Sequence, residues 1–320
     1  MNRSVLVTGA AGFIGSHLCE KLLELGYTVT GVDNFDSFYG RKLKESNLKI
    51  ANLSHRFKFY ELDVNDFDAF TMLNGEYDIA VHLAARAGVL PSISNPLGYV
   101  HSNISATTAL LEWLQARKIT KYIFASSSSV YGNNAKVPFS EEDEAIQPIS
   151  PYAFSKRSCE LLNYTYHHLY DMDIINLRFF TVYGERQRPD LAIRKFAASI
   201  WSGRPITIYG SGNTARDYTY ISDTINGIIL SIEHLLDTKG VFETINLGSS
   251  KPIFITELIE KIENQLSRKA FIHYAPMRAG DVNVTFADNT MAYQLIGYQP
   301  LVGLDEGMRR FIKWFLDITK

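Results

Sequence analysis

Short apolar runs alternate with amphipathic stretches through the first half of the chain. The apolar runs are SVLVTG, YTVTGVD, FKFYELDV, DIAVHLAA and KYIFASS, and they show only weak alternation of apolar and polar positions. Strands that are buried on both faces have this pattern. Helical periodicity separates them, as in FIGSHLCEKLLEL, which ends at Gly26, and in PLGYVHSNISATTALLEWLQARK over residues 96–118. The alternation through about Arg178 predicts an open parallel sheet covered by helices on both faces.

The pattern changes after INLRFF. RQRPDLAIRKFAASIWSG predicts a helix, and RPITIYGSGNTARDYTYIS predicts strands and turns. Further helices are predicted in DTINGIILSIEHLLD, FITELIEKIENQL and LDEGMRRFIKWFLDI. We therefore predict a doubly wound α/β domain over residues 1–178, to which part of 218–250 returns. Residues 179–320 are predicted to form mainly a smaller, mixed α/β substrate lobe.

Length and composition limit the functional classes. A chain of 320 residues exceeds what one core supports, so two lobes are expected. The net charge is −2 and no basic tract occurs, which argues against nucleic acid or an anionic membrane as partner. No apolar run approaches the ~20 residues that span a bilayer. Because Met1 leads almost directly into a strand, no signal peptide is expected, and we predict a cytoplasmic protein.

The two cysteines, Cys19 and Cys159, both lie in helical patterns without a partner at metal-ligand spacing. Buried free thiols in a reducing compartment are therefore expected. No metal site is predicted.

Three glycines stand between the first strand and the first helix. Gly9, Gly12 and Gly15 form G-x-x-G-x-x-G, with Phe13 and Ile14 between the last two. Glycines let the backbone turn tightly and approach a pyrophosphate, which the free N–H groups at a helix N-terminus favour. A tight strand–helix turn would need glycines too, but the position after strand one and before helix one favours a Rossmann-like dinucleotide site.

Polar residues end the next two strands. Asp33 ends strand two and is followed by Asn34; Asp63 and Val64 end strand three. A carboxylate at Asp33 can accept hydrogen bonds from the adenosine ribose and would repel a 2′-phosphate, which predicts NAD rather than NADP. A loop cap is the alternative explanation for Asp33 and Asn34, and the glycine motif before them makes it the weaker one. The Asp63–Val64 pair is placed at the adenine edge.

Small residues and hydroxyls end the fourth and fifth strands. Leu83, Ala84 and Ala85 leave space beside a cofactor. ASSSSVYG ends strand five, where ligands of open α/β sheets bind. A serine-rich turn would explain any one of these serines. Ser127, however, also precedes a second motif that would use a hydroxyl at this position.

That motif is SPYAFSK, in which Tyr152 and Lys156 lie one helical turn apart. A solvated helix face is the ordinary explanation for one such pair. The alternative is chemical, because a nearby ammonium favours phenolate by ~1–3 pKa units and makes the tyrosine a general base.

Together these motifs resemble the extended short-chain dehydrogenase/reductases, specifically the nucleotide-sugar epimerases. The resemblance covers essentially the whole chain and includes VTGAAGFIGSHL, HLAARAG, ASSSSVYG, SPYAFSK, LRFFTVYGERQRPD, ARDYTYISD and RAGDV. It implies a catalytic triad of Ser127, Tyr152 and Lys156, and it places Asn103 among the NAD-binding residues. Tyr152 would remove the sugar 4-OH proton while C4 passes hydride to tightly bound NAD. The resulting 4-keto sugar would rotate and be reduced on its other face.

The resemblance is greatest to UDP-glucuronate 4-epimerases. It places Thr181 and Arg188 near the C5 substituent of the sugar, where Ser128 and Ser129 would assist. The serines also stand where related 4,6-dehydratases carry Asp-Glu, and Ser129 stands where related decarboxylases carry Glu, which argues against both reactions. Arg216 and Arg278 match diphosphate-binding positions, and Asp281 matches a ribose-facing one.

Two residues bear on the choice of sugar. Leu90 stands where uronate epimerases carry arginine, a loss for which Arg86 would compensate. Thr285 is small and leaves room for an N-acetyl group at C2. UDP-glucuronate is the first expectation, and UDP-glucose or UDP-N-acetylglucosamine is the alternative. A non-catalytic NAD-binding scaffold is a third possibility, from a different functional class.

A homodimer is also predicted. Helices 97–116 and 151–170 carry apolar residues on more than one face, so one face of each would remain for a partner. The residues concerned are Leu110, Leu111, Trp113 and Leu114 on the first helix and Leu161, Leu162 and Tyr166 on the second. Burial within one subunit is the alternative explanation.

Overall fold

The central feature of the molecule is a parallel sheet of seven strands. The structure is a computed structural model that describes residues 3–277, 280 and 282–319. From one edge of the sheet to the other, the strands are β10 (Phe242–Leu247), β6 (Asp173–Phe179), β5 (Lys121–Ser127), β4 (Ile79–His82), β1 (Ser4–Thr8), β2 (Thr28–Asp33) and β3 (Phe57–Glu61).

Successive residues of each strand face opposite sides of the sheet and enter two separate cores. Val5 and Val7 of β1 pack in one apolar cluster, whereas Leu6 packs in the other. Both clusters are completed by helices. The predicted fold class, a doubly wound parallel sheet, is confirmed.

The helices vary from one turn to more than five turns. Those of the described residues are α1 (Phe13–Glu24), α2 (Arg41–Asn47), α3 (Phe67–Phe70), α4 (Val89–Ser94), α5 (Pro96–Tyr99), α6 (Ala106–Ala116), α7 (Pro151–Tyr170), α8 (Ala192–Trp201), α9 (Ile221–Asp237), α10 (Ile255–Leu266), α11 (Thr290–Ile296) and α12 (Leu304–Thr319). Within the described ranges, none is long and apolar enough to cross a membrane.

Two smaller sheets are formed by strands from the second half of the chain. The strands of the first are β11 (Pro252–Phe254), β9 (Ala215–Tyr220) and β7 (Thr181–Tyr183). The second pairs β8 (Ile206–Tyr209) in parallel with β12 (Ile272–Ala275). After β9 the chain returns to the large sheet through α9 and β10, and β10 pairs in parallel with β6.

Two predicted helices are shorter or less regular than their sequences indicate. The predicted helix over 96–118 is divided by a π-helical turn at Val100–Ser105. The helix predicted from Arg186 begins only at Ala192. Pro189 explains the delay, because a proline restricts the residue before it to extended conformations. Arg188 therefore lies in a loop.

The homodimer residues predicted on the first helix are buried within the single chain. Leu110, Leu111, Trp113 and Leu114 are all at most 2% exposed. On α7, Tyr166 is also buried, whereas Leu161 is 56% exposed. The two cysteines are free and buried, as predicted.

The order of the strands locates the binding crevice. β1 lies between β4 and β2, and the chain proceeds outward from it in both directions. Open α/β sheets bind ligands at this point, beyond the carboxyl ends of the strands. Residues after β1, β4 and β5 therefore face one another across a single crevice.

Candidate active site

A cavity of about 660 Å³ lies at the carboxyl ends of the central strands. Most of the sequence-predicted site residues line it together. They are Gly9, Gly12, Phe13, Ile14, Gly15, Asp33, Asn34, Asp63, Val64, Leu83, Ala84, Ala85, Arg86, Ser127, Ser128, Ser129, Tyr152, Lys156, Thr181 and Arg188.

The glycine turn forms a phosphate-sized cradle at the start of α1. Gly9 has φ +72°, and a Cβ there would lie 2.7 Å from the backbone nitrogen of Ala84. A Cβ on Gly15 would lie 2.1 Å from the carbonyl oxygen of Gly9. Gly12 precedes α1 without a side-chain cap, so the first N–H groups of the helix remain free for an anion.

Asp33 is buried at the end of β2 and is already well bonded. Its carboxylate accepts hydrogen bonds from the backbone N–H of Ala11 at 3.2 Å and of Phe35 at 2.8 Å. It also forms an ion pair with Lys44, whose Nζ lies 3.1 Å away. Lys44 lines the same cavity, and the sequence analysis missed it. A lysine on a polar helix eleven residues from its partner has no distinctive local pattern.

The side chains of Asn34 and Asp63 join the ends of β2 and β3. Asn34 Nδ2 donates a hydrogen bond to Asp63 Oδ2 at 2.8 Å. The other oxygen of Asp63 accepts from the backbone and side-chain nitrogens of Asn65. This bonding fixes the far wall of the cavity, where an adenine would lie.

Asn103 supports the cavity wall instead of lining it. It is buried in the π-helical turn, and its amide donates hydrogen bonds to the carbonyl oxygen of Arg86 and to Ser155 Oγ. Its Oδ1 accepts from the backbone N–H of Arg86 at 2.8 Å. The residue predicted to contact the cofactor thus positions the backbone of Arg86, which does line the cavity.

Ser127, Tyr152 and Lys156 come together from the end of β5 and the first turns of α7. Ser150 caps α7 by accepting a hydrogen bond from the N–H of Ala153 at 3.1 Å. Ser127 lies beside the phenol of Tyr152 and lowers its pKa, while the Ser127 hydroxyl donates a hydrogen bond to Ser129 Oγ at 3.0 Å. Lys156 is buried, and its Nζ donates to the carbonyl oxygen of Ala125 at 2.7 Å.

Three causes act on the pKa of Tyr152. Burial raises the pKa of Tyr152, while the Ser127 hydroxyl and the charge of Arg188 lower it. Arg188 is thus a cation that lowers the pKa of Tyr152, and the same role for Lys156 stays a prediction. Burial also lowers the pKa of Lys156 itself, to about 8.

A buried ion pair lies directly behind this group. Arg178 donates to both carboxylate oxygens of Glu160, at 2.9 and 3.0 Å. Ser126, the residue before Ser127, donates to the same carboxylate. The pair therefore fastens β5 and β6 to α7 where Ser127, Tyr152 and Lys156 meet. Sequence analysis missed it, because the partners come from distant segments.

Two arginines on the substrate side are also held by carboxylates. Arg188 forms a bidentate pair with Asp190, at 3.0 and 2.7 Å. Arg86 donates to Asp36 at 2.8 Å. Both arginines line the cavity that contains Tyr152.

A smaller cavity of about 130 Å³ adjoins the first. Ser128, Ser129 and Thr181 line both cavities, and Arg216 and Thr285 line the smaller one. Arg216 donates to the carbonyl oxygens of Ala215 and Asn283. The predicted Arg278 and Asp281 lie outside the described residues.

Comparison with known proteins gives similarity over nearly the full chain. A family model described as GDP-mannose 4,6 dehydratase matches residues 6–311. The UDP-glucuronate 4-epimerase of Thermodesulfobacterium geofontis is 43% identical over 97% of this chain and 95% of that protein.

Solved structures give the same similarity in three dimensions. The UDP-glucuronic acid 4-epimerase of Bacillus cereus, in complex with UDP-glucuronic acid and NAD, has a TM-score of 0.93 at 36% identity. The match covers 98% of this chain and 99% of that one. A UDP-N-acetylglucosamine 4-epimerase of Methanobrevibacter ruminantium, in complex with UDP-N-acetylmuramic acid, has a TM-score of 0.90 at 34% identity and covers 99% of both chains.

Proposed function

The chain belongs to the GDP-mannose 4,6-dehydratase family of extended short-chain dehydrogenase/reductases, and we propose that it is an NAD-dependent UDP-sugar 4-epimerase. The observation that carries the proposal is the meeting of Ser127, Tyr152 and Lys156 in a cavity that begins at the glycine cradle of α1. Ser128 and Ser129 offer no carboxylate for the elimination that a dehydratase performs.

The residues present fit NAD. The uncapped start of α1 suits its pyrophosphate, and the Asp33 carboxylate at the end of β2 suits a ribose diol. Lys156 is assigned to the nicotinamide ribose. When bound, NAD accepts hydride from C4 of the sugar and returns it, so that no net oxidation occurs.

The protein's own task is proton transfer and orientation. Tyr152 removes the 4-OH proton in the oxidation and returns it in the reduction. Ser127, which lies beside Tyr152, holds the reacting hydroxyl next to it. Between the two half-reactions the sugar must rotate to present its opposite face to NAD. The hydrogen bonds between protein and sugar must therefore break and re-form while the nucleotide stays bound.

We infer that the preferred sugar is UDP-glucuronate. The support is Arg188, a cation on the cavity wall close enough to lower the pKa of Tyr152. A substituent on the carbon next to the reacting C4 would lie near it, and a carboxylate there would be stabilised by the guanidinium. Thr181 lies in the same wall. UDP-N-acetylglucosamine and UDP-glucose remain alternatives, favoured by Leu90 and by the small side chain of Thr285.

The other site assignments complete the proposal. NAD is held by Gly9, Gly12, Phe13, Ile14, Gly15, Asp33, Asn34, Asp63, Val64, Leu83, Ala84, Ala85, Tyr152 and Lys156. Asn103 acts through the backbone of Arg86. Arg216 and Arg278 bind the diphosphate, and Asp281 binds the uridine ribose. We assign NAD binding to residues 1–178 with the returning part of 218–250, and substrate binding mainly to 179–320.

The decisive experiment is a panel of UDP-sugars with product analysis by NMR. UDP-glucuronate should give UDP-galacturonate faster than UDP-glucose or UDP-N-acetylglucosamine is converted. Faster conversion of a neutral sugar would overturn the uronate assignment. Absence of any conversion, with NAD released on denaturation, would favour the non-catalytic NAD-binding alternative.

We further propose a homodimer that uses the outer face of α7 and α5. Leu97 is 80% exposed, and Phe154, Leu161 and Tyr164 are 49%, 56% and 55% exposed, an apolar surface suited to a partner. A sedimentation mass of one 36.2 kDa chain would contradict this. A cytoplasmic location is part of the same proposal, supported by the two unpaired thiols.

A further inference from the structure

The guanidinium of Arg188 is held by two different contacts. The carboxylate of Asp190 takes two hydrogen bonds, from Nε at 3.0 Å and from the terminal nitrogen Nη2 at 2.7 Å. The guanidinium carbon also lies 4.9 Å from the centre of the Phe38 ring. One edge of Arg188 is thus occupied by an anion and one face by an aromatic ring.

The two members of the pair have different access to solvent. The side chain of Arg188 is 14% exposed and lines the cavity of Tyr152, whereas that of Asp190 is 44% exposed and is not among the lining residues. Within the described residues, Nη1 of Arg188 has no hydrogen-bond partner. Asp190 therefore approaches Arg188 from the solvent side. The guanidinium edge that carries Nη1 stays available toward the cavity.

This arrangement has opposite consequences for acidic and neutral sugars. When the sugar is neutral, Asp190 balances the charge of the mostly buried Arg188 guanidinium, which would otherwise be an unpaired cation in the cavity wall. With a uronate, the sugar carboxylate meets a cation whose charge is already balanced, and the two anions repel each other across it. Because Asp190 is half-exposed, it can turn toward water when a second carboxylate arrives.

We propose that Asp190 is a positioning residue that sets sugar specificity: it is the resident counter-ion of Arg188 and narrows the preference for acidic over neutral nucleotide sugars. The inference rests on the proposed function for the identity of the ligands. It concerns the charge of the sugar and is tested by ligand binding alone, without proton transfer at Tyr152.

The test compares binding of two ligands that differ at C5. Tyr152→Phe is used as background, so that neither ligand is converted during a calorimetric titration of the NAD-loaded protein. In this background, Asp190→Asn should bind UDP-glucuronate about tenfold more tightly, because the charge that opposes the carboxylate is gone. Binding of UDP-glucose should change less than about twofold.

Three further variants separate charge from shape. Asp190→Glu keeps the charge and should restore the original ratio of the two affinities. Asp305→Asn removes a carboxylate that is 79% exposed and lies outside both cavities, and should change neither affinity. The gain for UDP-glucuronate in Asp190→Asn should also shrink as salt is raised from 0.05 to about 0.5 M, as screening requires.

Several results would overturn the inference. Unchanged or weaker binding of UDP-glucuronate by Asp190→Asn would show that Asp190 does not oppose the carboxylate. Equal gains in affinity for UDP-glucuronate and UDP-glucose would show that the substitution changes the shape of the pocket and not its response to the sugar's charge. A uronate-specific gain in Asp36→Asn but not in Asp190→Asn would assign the carboxylate to Arg86. If the wild-type protein converts no UDP-sugar, the proposed function fails, while these affinities still decide the role of Asp190.

Discussion

Lys156 is joined to Ala125 by a hydrogen bond of 2.7 Å, from the ammonium on α7 to a carbonyl oxygen of β5. The bond fixes the lysine against the sheet before any cofactor contact is made. An ammonium has three N–H donors, so two stay available for the hydroxyls of a ribose. Lys156 is therefore oriented in advance for its proposed contact with NAD.

Tyr152→Phe should reduce kcat by ~10²–10⁴-fold, because the general base is lost while the ring still packs. NAD should stay bound, as measured by its release on denaturation. Lys156→Ala is the matched variant, and it should lose both turnover and NAD. Near-normal turnover in Tyr152→Phe would contradict the assignment of the base.

The pKa of Lys156 predicts a pH effect on stability. It is lowered by burial to about 8 from 10.5, so between these values the unfolded chain binds a proton that the folded NAD-free protein has lost. The free energy of unfolding should therefore rise with pH in this window. Relative to Lys156→Met, the wild type should gain roughly 1–2 kcal/mol between pH 8 and 9.5 in urea unfolding. If the difference in unfolding free energy between wild type and Lys156→Met does not change with pH, the prediction is wrong.

Arg188→Gln should move the pH profile of kcat/KM to higher pH. The charge of Arg188 lowers the pKa of Tyr152, so its loss makes the phenolate harder to form. Arg86→Gln is the control, since it removes an equal charge from the same cavity. Equal displacement of the profile by both variants would mean that the effect is general to the cavity.

Arg178→Met should lower the free energy of unfolding by about 3–5 kcal/mol, because it leaves the Glu160 carboxylate buried without its main partner. Arg157 bonds the same carboxylate but is 27% exposed, so Arg157→Met should cost about 0–1 kcal/mol. Urea unfolding measures both. Similar losses in the two variants would show that burial does not govern this pair.

Gly15→Ala should weaken NAD binding at least ~10-fold, or ~1.4 kcal/mol. The new Cβ would lie 2.1 Å from the carbonyl oxygen of Gly9, so the start of α1 must move from the cradle. Gly40→Ala is the control, because a Cβ there meets nothing within 4 Å. Retained NAD in Gly15→Ala would contradict the close-approach argument.

The central sheet and most cavity residues were predictable because their signals are local. β5 begins and ends as its sequence indicates, at Lys121 and Ser127. Tyr152 and Lys156 are four residues apart, so the sequence alone places them on one face of a helix. Pairs such as Glu160 with Arg178 and Asp33 with Lys44 were not predictable, since each depends on how separate elements pack.

Local signals also failed where backbone geometry intervened. The sequence over 96–118 has helical periodicity throughout, yet the segment around Asn103 adopts a π-helical turn. Asn103 there bonds the backbone of Arg86 and Ser155, a requirement set by tertiary contacts. Arg188 lines the cavity, but its pairing with Asp190 depends on the loop conformation that Pro189 favours.

The pairing of β10 with β6 has a consequence for synthesis on the ribosome. When the chain has emerged as far as Phe179, six of the seven strands are present, and β6 still has a bare edge. Every residue of β6 is buried in the finished protein, so until β10 pairs with it this edge exposes unpaired backbone N–H and C=O groups that are open to mispairing. The edge of β6 stays unpaired until Leu247, the last residue of β10, has emerged. The parallel sheet begun by the first half of the chain is therefore completed only by a strand from the second half.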